Sequence, residues 1–142
     1  MASSIIFFIE GTPFTIKNKI KLRRWILQVI KQEKKNPGEL NFIFCSDDYL
    51  LSINQQYLKH DAYTDIITFN TSSTPVLISG DIFISVERVR ENAGSLNLSV
   101  TDELHRVIIH GVLHLIGYAD KKPAQKKEMT SKEDIYLSSR SF

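Results

Sequence analysis

The sequence predicts an α+β fold, a small mixed sheet of about four strands with helices packed on it, in a single domain spanning residues 1–142. Three observations lead there. Four short runs rich in Ile, Val and Phe read as strands. Longer segments carry apolar residues at helical spacing. The two kinds of segment are mixed along the chain without regular alternation. With 142 residues, 42% of them apolar and 24% charged, the chain has the length and composition to bury one respectable core.

The elements follow in order. "IIFFI" (5–9) reads as a buried strand. In "KNKIKLRRWILQVIKQEKK", Ile20, Leu22, Trp25, Ile26, Val29 and Ile30 recur at helical spacing, and the segment stops at Asn36-Pro37-Gly38. The many Lys and Arg residues of this helix read first as a solvated face and second as an RNA-facing patch. "LNFIFC" (40–45) is a second strand, in which Cys45 reads as a small buried hydrophobe. Ser46-Asp47-Asp48 opens a helix carrying Leu50, Leu51, Ile53, Asn54 and Tyr57. "TDIITF" (64–69) and "VLISGDIFIS" (76–85) are two more strands, expected to be neighbours. Ser85 can cap a short helix through Ala93, and Ser99 with Asp102 resembles a capping box opening a longer one. That longer helix should end near Gly117. "PAQKKEMTSKEDIYLSS" is expected as a last helix, with Pro123 in its first turn.

Net charge is only +2, weak support for an anionic partner. One cysteine excludes an intrachain disulfide framework and a multi-cysteine zinc site. The start "MASSIIFFIEGTPF" lacks the basic residues and long apolar core of a signal peptide, and no run approaches the roughly 20 residues that span a bilayer. The expectation is a soluble cytoplasmic protein with no membrane association; nothing fixes its oligomeric state.

The chemistry lies in "HRVIIHGVLHLIGYADKK" (105–122). His110 and His114 are four apart, so they share one helical face with Cβ atoms about 6 Å apart and can reach one metal ion. Gly117 lets the chain turn sharply, and Asp120 follows three residues later. The result is H-x-x-x-H-x-x-G-x-x-D, the spacing of metzincin-type zinc sites with aspartate in the last place. The expected ligands are therefore His110, His114 and Asp120, holding one divalent ion, zinc above all; the carboxylate also admits iron or manganese. His105, about 140° round the helix from His110, reads as a surface or capping residue. His60 reads as solvent-exposed. A metalloprotease needs Glu after the first histidine, and Gly111 stands there, so peptide hydrolysis is not expected. Asp65 and Asp81 are candidates to orient a histidine. Tyr118 is expected to bring its hydroxyl to the rim of the site, and Met129 reads as core more than as a floor beneath the metal.

These residues resemble the signature of the YbeY family, H-G-x-L-H-L-x-G-Y-D-H with a later methionine. His110, Gly111, Leu113, His114, Leu115, Gly117, Tyr118 and Met129 match it. "NQQYLKHDAYTDIITF" and "SGDIFIS" resemble two further blocks of the family. The resemblance implies a zinc-dependent endoribonuclease acting on RNA in 16S rRNA maturation and ribosome quality control. Two departures stand out: Asp120 replaces the third histidine, and Leu58 replaces the arginine that the family places after its tyrosine. Lys59 is the candidate to take over the catalytic, phosphate-contacting role of that arginine, as a point charge in place of a fork. Two alternatives are a non-catalytic ribosome-associated assembly factor with a structural metal, and a metal hydrolase with another substrate.

Overall fold

The computed structural model describes residues 4–60 and 62–142. Met1–Ser3, the start of the segment read above for a targeting signal, and Asp61 lie outside the described residues. The elements run β1 (Ser4–Glu10), α1 (Lys19–Gln32), β2 (Asn36–Cys45), α2 (Asp47–Leu58), β3 (Ile66–Asn70), β4 (Leu77–Ser85), α3 (Val86–Leu96), α4 (Val100–Ile116) and α5 (Pro123–Ser138). The sheet order is β1-β2-β4-β3. β1, β2 and β4 are parallel, while β3 runs antiparallel to β4 along one edge, from Ile66 opposite Ile84 to Asn70 opposite Gly80. This is the mixed four-stranded sheet with packed helices that the sequence predicts.

Side-chain alternation divides the sheet into two faces. Leu40, Phe42 and Phe44 of β2 and Ile78, Ile82 and Ile84 of β4 join the main core with α1 and α4. Cys45, Ile67 and, at its margin, Phe69 and Phe83 pack with Leu50 and Ile53 of α2 on the other face. The side chain of Ser46 accepts the Tyr49 N–H, Ser85 that of Arg88 and Ser99 that of Asp102, so the three expected hydroxyl caps hold.

Several boundaries differ from expectation. β2 begins at Asn36, inside the segment read as a terminator, and its register with β4 shifts between Pro37 and Leu40. Pro37 is tolerated because it lies outside the β1–β2 ladder, whose first described pair is Ser4 with Glu39. Ile20 is exposed, since α1 starts only at Lys19 and buries Leu22, Trp25, Ile26, Val29 and Ile30. The Asp102 carboxylate turns to Arg140 (3.1 Å) and does not complete a capping box. Among the described residues no helix is long and apolar enough to cross a membrane.

α4 is the central element. Ten of its residues are buried, on all sides of the helix: besides its apolar residues, Glu103 and His105 are inside. Its approach to the sheet explains Gly111. A Cβ there would lie 2.8 Å from Ile66 Cδ1 and 3.0 Å from Ile82 Cγ2. The position that carries Glu in a metalloprotease has no room for a side chain.

Candidate metal centre

α4 carries His110 and His114 on one face, and Gly117 ends it with φ +126°, a conformation that L side chains rarely adopt. The N–H groups of Gly117 and Tyr118 both donate to the Leu113 carbonyl (3.1 and 3.0 Å), which folds the chain back over the last turn. Asp120 then returns to the two histidines. Its Oδ2 lies 3.2 Å from His110 Nε2 and 3.2 Å from His114 Nε2, and the two Nε2 atoms are 2.9 Å apart. These three groups are the metal-competent cluster among the described residues.

The outer nitrogens decide what this triangle can do. His114 Nδ1 lies 2.9 Å from the Tyr118 carbonyl, which can only accept, so Nδ1 carries the proton and Nε2 presents a lone pair. His110 Nδ1 lies 2.6 Å from Glu133 Oε2, a carboxylate that also accepts from Arg106, so Nδ1 carries a proton and the neutral imidazole presents its lone pair at Nε2. With both imidazoles neutral, two lone pairs and a carboxylate oxygen thus point at one spot, an arrangement relieved either by a divalent ion among them or by a proton on His110. For ligand distances of about 2.1 Å in a tetrahedral site, ligand atoms stand about 3.4 Å apart. The observed separations are close to that, and the donor set fits a divalent ion. Without such an ion, burial pushes the His110 pKa down, but the Glu133 hydrogen bond and the charges of Glu133, Asp120 and Asp65 outweigh it and raise the pKa above the ordinary imidazole value.

The other candidates sort as follows. Glu133 of α5, 3% exposed, takes the orienting role expected of Asp65 or Asp81. Asp81 instead accepts from Asn41 (3.0 Å), and Asp65 accepts from Asn92 (3.4 Å) while contributing only its charge to His110. Glu133 could not be identified from the sequence, because nothing local pairs α5 with α4; its spacing of four from Met129 shows only a shared face. Met129 is 2% exposed and belongs to the main core. The Tyr118 hydroxyl does not reach the rim of the site; it donates to Glu33 (2.5 Å), and its backbone carbonyl serves His114. His105 is not a surface or capping residue. It is 4% exposed, between Trp25 and Phe142, with Nδ1 accepting from Arg140 (2.7 Å).

Lys59 is not part of the triangle. It follows α2 with left-handed backbone (φ 55°) and lines an open groove of about 930 Å³ with Asn54, exposed His60, Tyr63, Thr68 and Lys121. Ile66 lines the same groove and is the side chain that presses on Gly111, so the groove borders the ligand-bearing helix. Leu58, in the place of the family's arginine, is 41% exposed in it.

Residues 10–141 match the family described as Endoribonuclease YbeY. The chain is 50% identical over 139 residues to an Endoribonuclease YbeY of Cytophaga hutchinsonii, covering 98% of this chain and 97% of the relative. It is 52% identical over 133 residues to one of Flavobacterium psychrophilum, covering 94% of each. The solution structure of a Thermotoga maritima protein, 31% identical, superposes with a TM-score of 0.64 over 93% of this chain and 87% of that one. On the match across nearly its whole length, and on the identity to these relatives, the chain belongs to the YbeY endoribonuclease family.

Proposed function

We propose that the chain is a metal-dependent endoribonuclease that holds one zinc ion on His110, His114 and Asp120 and cleaves RNA in 16S rRNA maturation and ribosome quality control, in the cytoplasm. The observation that carries the metal is the convergence of His110 Nε2, His114 Nε2 and Asp120 Oδ2 with both outer nitrogens engaged elsewhere. The name shared by the relatives supports RNA as the substrate.

A divalent ion supplies Lewis acidity toward a phosphoryl oxygen and acidifies water. The protein's part is to prepare that site. Glu133 and the Tyr118 carbonyl hold both imidazoles in the tautomer that donates. Asp120 offsets one unit of positive charge, so the centre is less electrophilic than a three-histidine set. Lys59 and Lys121, both on the groove, offer point charges to substrate phosphates. Leu58 favours the second reading, a non-catalytic assembly factor on the ribosome. Three protein ligands leave a fourth position for water or substrate, as catalytic zinc sites do, and this favours the enzyme.

Metal analysis of the purified protein, coupled to a ribonuclease assay with and without chelator, tests the proposal. It expects about one ion per chain and cleavage that chelator abolishes. Cleavage that survives chelation and a His110→Ala/His114→Ala double substitution would overturn it.

A further inference from the structure

We infer that Arg106 is a positioning residue for the metal centre, acting through Glu133 on His110; the inference rests on the metal site proposed above. Arg106 lies one turn before His110 on α4 and touches neither the histidines nor Asp120. Each of its three guanidinium nitrogens nonetheless donates to a carboxylate. Nε donates to Glu103 Oε1 (2.7 Å) and Nη2 to Glu103 Oε2 (2.5 Å), a two-pronged pairing that fixes the plane of the group. This leaves Nη1 aimed at Glu133 Oε1 (3.3 Å). The other oxygen of Glu133, Oε2, meets His110 Nδ1 at 2.6 Å. One carboxylate is therefore shared, one oxygen to each partner, and the line Glu103–Arg106–Glu133–His110 ends at the nitrogen opposite the ligand atom.

The burial of the two carboxylates in this line argues for a use beyond joining two helices. The Glu103 side chain is 0% exposed and that of Glu133 4%. Burying charges is costly, and a well-packed apolar pair joins helices as well or better. The geometry also explains why the cation is arginine. Lysine offers one point charge, whereas the guanidinium grips Glu103 with one edge and still presents a donor to Glu133. Held this way, the Glu133 carboxylate cannot rotate away from His110, so the imidazole keeps both its tautomer and its angle toward Asp120. Partners of this kind, once removed from a metal-bound histidine, weaken metal affinity by roughly tenfold to a hundredfold.

A double-mutant cycle on the full chain tests the assignment. Zinc affinity is measured by competition with a chromophoric chelator for wild type, Arg106→Met, Glu133→Gln and the double variant, with the melting temperature of each metal-free protein as the control for folding. Arg106→Met should weaken zinc by about tenfold. In the Glu133→Gln background the same substitution should cost nothing further, because its route to the metal is gone. Arg106→Lys should fall between wild type and Arg106→Met, and it carries the test alone if Arg106→Met does not fold. If the Arg106 variants bind zinc within twofold of wild type while their melting temperatures drop, Arg106 only joins α4 to α5 and the inference is wrong. If its effect adds in full to that of Glu133→Gln, it does not act through Glu133. Wild type that fails to bind zinc, or binding that survives His110→Ala/His114→Ala, overturns the metal reading itself and this inference with it.

Discussion

Glu33, the residue that closes α1, accepts the hydroxyl of Tyr118, the first residue after the glycine that ends α4, across 2.5 Å. Tyr136 and Lys132 of α5 donate to the same carboxylate. One side chain thus ties α1, the turn of the metal centre and α5 together. Burial alone would push the Glu33 pKa up, but the two phenols and the Lys132 ammonium override it and leave it below the ordinary carboxylate value. Such a group adds stability above its unfolded pKa and loses it as pH falls through the lower, folded one. Glu33→Gln should cost about 2 kcal/mol near neutral pH. In urea denaturation the gap from wild type should narrow once the pH drops below about 4. A gap that widens on acidification would contradict this.

Tyr118→Phe separates the side chain from the backbone of the same residue. The hydroxyl goes, and one of three donors to Glu33 with it, at a cost of about 1 kcal/mol. The carbonyl that accepts from His114 stays, because the bonds from Gly117 and Tyr118 to Leu113 fix the turn. Zinc affinity should therefore remain within about twofold of wild type while the melting temperature falls. A large loss of affinity would show that the hydroxyl does orient the site.

The contrast between these two residues shows what the sequence can reveal. His110, His114, Gly117 and Asp120 lie within one helix and one turn, so spacing alone brings them together. Glu33, Arg106 and Glu133 act across 85, 27 and 23 positions, and no local pattern announces such pairs. β2 is legible because its apolar run is buried on both faces, with Leu40, Phe42 and Phe44 inward to one core and Cys45 to the other. β1, expected as a buried strand, is an edge of the sheet and leaves Ile6, Phe8 and Ile9 exposed, with Ile5 buried. His105 was misread for a related reason. Its position about 140° from His110 suggests an outer face, whereas α4 packs against the sheet, α1, α3 and α5. Asn36-Pro37-Gly38 misled because a turn-forming triplet also suits a strand end that bulges.

The burial of His105 has a pH signature. Burial, and then the charge of Arg140, bring its pKa down to about 4, with Asp102 partly opposing. Trp25 and Phe142 pack against it at a tilt and supply no charge. A base whose folded pKa is depressed leaves the protein fully stable above its unfolded value and destabilises it progressively as pH falls toward the folded one. The window here runs from about 6.5 down to about 4, with a loss on the order of 3 kcal/mol. His105→Gln should be less stable at pH 7, because its fit between the two rings is lost, but its stability should fall less steeply across that window. Parallel urea midpoints for the two proteins from pH 7 to pH 4 would remove His105 as the cause.

Asp120 is the proposed ligand that stands in place of a third histidine, and three substitutions separate its contributions. Its Oδ2 stands 3.2 Å from His110 Nε2 and from His114 Nε2, so the carboxylate can offer a donor atom and a charge at one point. Asp120→His restores a third nitrogen after the same glycine turn and should keep zinc bound at comparable strength. Asp120→Ala removes donor and charge together, leaves two protein ligands, and should weaken zinc by well over tenfold. Asp120→Asn retains an oxygen of nearly the same shape without the charge that offsets the ion, and should fall between the other two. The measurement is zinc competition on all three, with the melting temperature of each apo protein. Asp120 is partly exposed, so removing it should leave apo stability close to wild type. If all three variants bind zinc as tightly as wild type, Asp120 is an ordinary loop residue, the site is a histidine pair, and the fit of this chain to a three-ligand catalytic centre fails.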